Sequence, residues 1–210
     1  MPRSLAWLLL ALLLPMTAGA ASQGEYFEGV HYKRIDPPAP TEAAEGKVEV
    51  VELFWYGCPH CFEFDPMIEE WRDEAKPEAA AFRRVPATLN PRWKVHARAF
   101  YAAKVLGVQD EIHTPLFKGI HEQRRRLNSL ESIARFLERQ GVDRKEFLDA
   151  ARSLEVDMAM RRADRLNRAY QAGGVPTMIV DGRYRTSASL AGDYRTMLDV
   201  VDHLVAKRAD

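Results

Sequence analysis

Phe54-Trp55-Tyr56-Gly57-Cys58-Pro59-His60-Cys61 is the stretch on which the fold turns. The residues leading into it, Val48-Glu49-Val50-Val51-Glu52-Leu53-Phe54-Trp55, read as a strand because β-branched and aromatic side chains dominate them. Apolar residues occupy both alternating faces, as in a central strand covered on two sides. Gly57 ends that strand and a helix follows. Pro59 falls in the first helical turn, where a missing N–H costs nothing. Cys61, Phe64, Ile68 and Trp71 recur at helical spacing and can share a buried face. Pro66 lies inside the same pattern and predicts a kink rather than two separate helices.

Cys58 and Cys61 are the only cysteines in the 210 residues. A bridge closing so short a loop removes little chain entropy and makes a poor structural staple. The pair points to redox chemistry instead. Disulfide exchange needs a thiolate, so a thiol working near neutral pH must have its pKa lowered. Just ahead of a helix, Cys58 meets the free N–H groups of the first turn and the positive end of the dipole. The spacer sets Cys61 one turn along, where it can attack a mixed disulfide and release the partner. Whatever stabilises the Cys58 thiolate stabilises the reduced pair, so the oxidised pair leans toward giving its disulfide away. His60 can add a hydrogen bond or partial positive charge. A tetrahedral zinc site would want four ligands; there is no second cysteine pair, and the six histidines show no paired spacing. Haem attachment would need a histidine where Phe62 stands. Neither a metal nor another cofactor is expected.

Toward the N-terminus, residues 1–20 read as a secretory signal peptide: Arg3, an apolar run from Leu5 to Leu14, Pro15, then Ala18-Gly19-Ala20. The run is about half the roughly 20 residues a spanning helix needs. A soluble, exported protein with a net charge of −1 is expected once those residues are removed. Near-neutral charge argues against nucleic acid as a partner. Arg124-Arg125-Arg126 reads as the solvated face or end of a helix. Residues 21–47 read as a polar arm ending in the extended stretch Asp36-Pro37-Pro38-Ala39-Pro40.

Downstream, Ala80 to Pro86 is a further strand. Helical patterns cover Ala97–Leu106, Glu111–Arg126, Leu130–Gln140, Arg144–Ala151 and Val156–Tyr170, with Gly107 and Gly141 as stops. A strand at 176–180 turns through Asp181-Gly182 into Arg183-Tyr184-Arg185, and a last helix spans about Tyr194 to Lys207. Helices spliced into a small α/β domain explain this order.

The motif from Phe54 to Cys61 between strand and helix resembles the DsbA family of periplasmic dithiol oxidases, and Gly173-Gly174-Val175-Pro176-Thr177 resembles that family's cis-proline loop. The likeness implies a thioredoxin fold with an inserted helical domain. Residues 21–91 and 166–210 would form the two thioredoxin-like parts and 92–165 the insertion. It also implies that Cys58 is the exposed nucleophile and Cys61 the buried resolving thiol. Pro59-His60 would tilt the pair toward oxidation. Val175 and Pro176 would face Cys58 and offer backbone to an extended substrate. Glu52, on an apolar strand face, would be the acid that assists proton movement at Cys61; a buried carboxyl has its pKa raised. Asp65 is a weaker candidate, read as solvated. The expected partners are reduced exported proteins and a DsbB-type membrane quinone oxidoreductase, met by a monomer in the periplasm. An isomerase or reductase of the same fold, or a thioredoxin-fold metal carrier, are the competing functions. About 27 residues ahead of the first core strand are too few for an isomerase's dimerisation domain.

Overall fold

The computed structural model describes residues 25–209, so the expected signal peptide lies outside the described residues. The sheet is built around β2 (Val48–Phe54), all seven residues of which are buried. Its parallel neighbour is β3 (Ala80–Pro86), with Glu52 paired to Arg84 in register. On its other side runs β4 (Thr177–Val180), antiparallel, then β5 (Tyr184–Thr186), and at the edge β1 (Lys33–Arg34). The strand order is β1-β5-β4-β2-β3. The N-terminal arm is therefore more than a polar tether. Its charged pair forms the edge strand, while Tyr32, Ile35 and Ala39 are buried.

Helix α1 (Pro59–Glu70) runs through Pro66 as one helix and passes into a π-helical turn at Trp71–Ala75. Its Cys61, Phe64 and Ile68 are fully buried and Trp71 nearly so, as the spacing requires. Burying such apolar side chains contributes roughly 1.5–3 kcal/mol each, which holds the helix start firmly on the sheet. Between β3 and β4 come α2 (Pro91–Val105), α3 (Gln109–His121), α4 (Leu130–Glu138), α5 (Arg144–Ala151) and α6 (Leu154–Ala169). A short α7 (Ala188–Ala191) and α8 (Tyr194–Ala209) close the chain. Helix α3 stops at His121, five residues before the expected end, so Arg124-Arg125-Arg126 lies in the connection to α4 rather than on a helix.

One apolar cluster packs Phe54, Tyr56, Cys58 and Cys61 against Phe100, Phe117, Phe136 and Phe147 of the helical block. Two others fill the sheet faces: Val50, Phe64, Met178 and Leu204 on one, Val51, Leu53, Ile179 and Tyr170 on the other. The cysteines thus sit at the seam between the helical block and the sheet. Among the described residues, no helix is long and apolar enough to cross a membrane.

Candidate active site

Cys58 occupies the N-cap of α1 in extended conformation, and Pro59 follows at the first helical position. No side chain caps this helix, which leaves its first-turn N–H groups to the sulfur. Both cysteines are free thiols in this structure. Cys58 is 8% exposed and Cys61 0%, so Cys58 is more enclosed than expected although it remains the more accessible of the two. The Cys58 pKa falls from 9.0 to about 6. The largest cause is the hydrogen bond from the Cys61 thiol; burial opposes it, and the Cys61 and His60 N–H groups lower it further. Burial pushes the Cys61 thiol well above its ordinary value. The Cys61 thiol is thus the main stabiliser of the Cys58 thiolate, ahead of the helix start that the sequence emphasises.

This split has a consequence for stability. A thiol whose folded pKa lies below its unfolded value stabilises the reduced protein above the folded pKa, and that stabilisation is lost as pH falls through about 6. At pH 7 it amounts to about 1.4 kcal/mol. The short crosslink stabilises the oxidised form without dependence on pH. The stability of the reduced form relative to the oxidised form, from urea midpoints, is expected to rise by about 1 kcal/mol between pH 5 and pH 7. A flat difference would remove the thiolate argument.

Across from the cysteines, the Val175–Pro176 peptide is cis, and the Val175 carbonyl stands 3.5 Å from the Cys58 Sγ. Pro176 is buried and Val175 half-buried. A cavity of about 690 Å³ opens beside this loop, with His60, Gly174, Val175, Pro176 and Tyr194 in its wall. The Tyr194 hydroxyl donates to the His60 carbonyl at 3.1 Å and ties α8 to the start of α1. His60 itself is exposed, 3.1 Å from Glu63 through Nδ1.

Beneath the pair lies Glu52, 1% exposed, accepting from Arg84 Nε at 2.8 Å while its Oε1 has no partner. Burial pushes Glu52 up to about 7 against the pull of Arg84, and its charge in turn helps raise Cys61. Arg84 is equally buried and also pairs with Glu69. Asp65, expected to be solvated, is buried: His113 Nε2 lies 3.2 Å from one carboxylate oxygen and the Thr114 hydroxyl donates to the other at 3.0 Å. Its pKa is lowered because His113 and Thr114 outweigh burial. His113 is pushed down to about 4 by burial, so it is neutral, with Nδ1 2.9 Å from the Tyr56 hydroxyl.

Asp65, Glu69 and His113 bring ligand-type atoms within 4.8 Å of one another. Arg84 ion-pairs with Glu69 and its charge, after burial, depresses His113. Met178, the one soft ligand close in sequence to Pro176, packs in the sheet cluster with Val50 and Phe64 rather than with the cysteines. Arg84, His113 and Tyr194 were not legible as site residues. The available signal was Arg83-Arg84 inside a strand whose parallel neighbour carries two glutamates: Arg83 pairs with buried Glu49 at 2.7 Å as Arg84 does with Glu52.

A family model for the DSBA-like thioredoxin domain matches residues 73–198. The chain is 39% identical over 203 residues to the thiol:disulfide interchange protein DsbA of Pseudomonas aeruginosa, covering 95% of each. Against the DsbA of Azotobacter vinelandii it is 41% identical over 177 residues, covering 84% of this chain and 82% of the relative. The crystal structure of Pseudomonas aeruginosa DsbA is similar with a TM-score of 0.82 and 39% identity, over 87% of this chain and 94% of that one. The oxidoreductase DsbA from Xylella fastidiosa gives 0.81 and 32%, over 87% and 97%. With the central strand, the helix-start cysteine pair and the helices between β3 and β4 in place, the chain belongs to the DsbA-like thioredoxin family of thiol:disulfide oxidoreductases.

Proposed function

We propose that the chain is a periplasmic dithiol oxidase that passes a Cys58–Cys61 disulfide to reduced exported proteins. A substrate thiolate attacks the Cys58 sulfur, the Cys58–Cys61 bond breaks, and Cys61 leaves and takes up a proton. A second substrate thiolate then attacks the substrate sulfur of the mixed disulfide and releases Cys58 as a thiolate. The substrate loses two electrons and the cysteine pair gains them. A membrane quinone oxidoreductase of the DsbB type takes those electrons back. The protein acts as a monomer and needs no cofactor beyond its own cysteines.

The observation that carries this reading is the split between the two thiols: Cys58 falls to about 6 while Cys61 is raised. A low-pKa thiol is a good leaving group, so the mixed disulfide is readily resolved toward the reduced enzyme. Glu52 is the proton source for Cys61, supported by its burial and a pKa of about 7. The Val175 carbonyl meets the protonated thiol; once Cys58 is a thiolate, that acceptor is free for the N–H of an extended substrate chain. The cavity beside it has room for the substrate's flanking side chains. Equilibration with glutathione tests the reading. A reduction potential above about −180 mV is expected, whereas one near about −270 mV would make the protein a reductase.

A further inference from the structure

A second cavity, of about 330 Å³, opens at Gly57, the residue before Cys58, and shares no lining residue with the one at Val175. Arg92, Arg125 and Arg126 line it together with Trp55, Gly57 and His96. The three arginines are exposed, and none lies within 4.0 Å of a carboxylate among the described residues. No acidic side chain lines the cavity. Three guanidiniums around one hollow repel each other unless an anion joins them.

One further donor there awaits an acceptor. The buried indole Nε1–H of Trp55 has no acceptor, and the ring cannot turn freely, being stacked on Trp93 at 4.7 Å and packed against Gly57. His96 is 6% exposed, and its Nε2–H donates to the Leu127 carbonyl at 2.7 Å, which leaves Nδ1 an acceptor that takes no part in holding an anion. Burial lowers the His96 pKa most, and the charge of Arg92 lowers it further.

We propose that this cavity is a subsite for a carboxylate side chain of the polypeptide whose cysteine reacts at Cys58. The proposal rests on the oxidase reading and adds a substrate preference to it. A polypeptide is the source because Gly57, in the wall, directly precedes Cys58. A chain held at the sulfur would bring a residue about two to three positions from its cysteine over the arginines. Guanidinium–carboxylate hydrogen bonds are the strong, directional kind that such a site would supply.

The test uses the full mature protein and three dithiol peptides of equal length, with kcat/KM measured at low salt. One carries Gln near the reacting cysteine, one carries Glu there, and one carries that Glu about ten residues away. The near-Glu peptide should be oxidised about tenfold faster than the Gln peptide, and the far-Glu peptide within about twofold of it. In the Arg125→Ala/Arg126→Ala protein the near-Glu to Gln ratio should fall to about one to two. Equal rates for near-Glu and Gln, equal gains from near and far Glu, or a ratio unmoved by the substitutions would each overturn the subsite. Inorganic phosphate that binds there without any near-Glu preference would reassign it to a free anion and also overturn the proposal. Failure to oxidise even the Gln peptide would instead strike the oxidase reading.

Discussion

Arg84→Met is expected to cost about 3–5 kcal/mol of folding stability at pH 7, read as a fall in the urea midpoint. Arg84 is the only guanidinium within hydrogen-bond reach of Glu52 among the described residues, and both side chains are almost completely buried. Removing one partner leaves the other charge without compensation in a low-dielectric setting. Protonation relieves that cost, so the loss should shrink as pH falls below Glu52's value of about 7. The same carboxyl predicts an effect of opposite sign. A raised acid pKa destabilises the fold above the unfolded value of 4.5 and not below it. Because Glu69 still pairs with Arg84, Glu52→Gln should stabilise the protein by about 1–3 kcal/mol near pH 8, with no gain below pH 4.5. If Glu52 supplies the proton to Cys61, this variant also loses the inflection near pH 7 from its exchange kinetics and keeps the one near 6. Identical pH profiles would leave Glu52 a structural residue only.

Cys58→Ser and Cys61→Ser should both lower dithiol oxidation at least about a thousandfold, because neither protein can hold a disulfide to donate. What separates them is the trapped species. With Cys61→Ser, the Cys58 thiolate still exchanges with disulfides of exported proteins, and no second thiol displaces the partner. Mixed disulfides should accumulate and appear on non-reducing gels. With Cys58→Ser, the remaining Cys61 is 0% exposed and its pKa is raised, so adducts should be absent. Adducts through Cys61, or none through Cys58, would reverse the assigned roles.

The elements legible in the sequence are those whose periodicity reflects burial. Strand β2, the start of α1 and its Cys61-Phe64-Ile68-Trp71 face, β3, and α5 follow from β-branched and aromatic composition and from helical spacing. Strand β1 does not, because Lys33-Arg34 is a charged pair made into a strand only by its pairing with β5. The end of α3 was also hidden. Residues 122–126 look helical in composition, yet the chain leaves the helix, and Leu127 is buried with its carbonyl accepting from His96. That departure carries Arg125 and Arg126 to the wall beside Gly57. Asp65 shows the same limit: one turn beyond Cys61 it could equally face solvent, and α3 decides the matter by laying His113 and Thr114 over it.

The redox pair and its place at a helix start are read from the chain alone. These depend on residues within four positions of one another, where spacing and backbone N–H geometry suffice. Packing across the fold sets how far the two thiols diverge, which arginine answers Glu52 and how closely the Val175 carbonyl meets Cys58. Val175 is 117 residues from Cys58 and Arg84 is 32 from Glu52. The pKa values follow from burial and from those distant partners, and burial is a property of packing that a local stretch of chain does not carry.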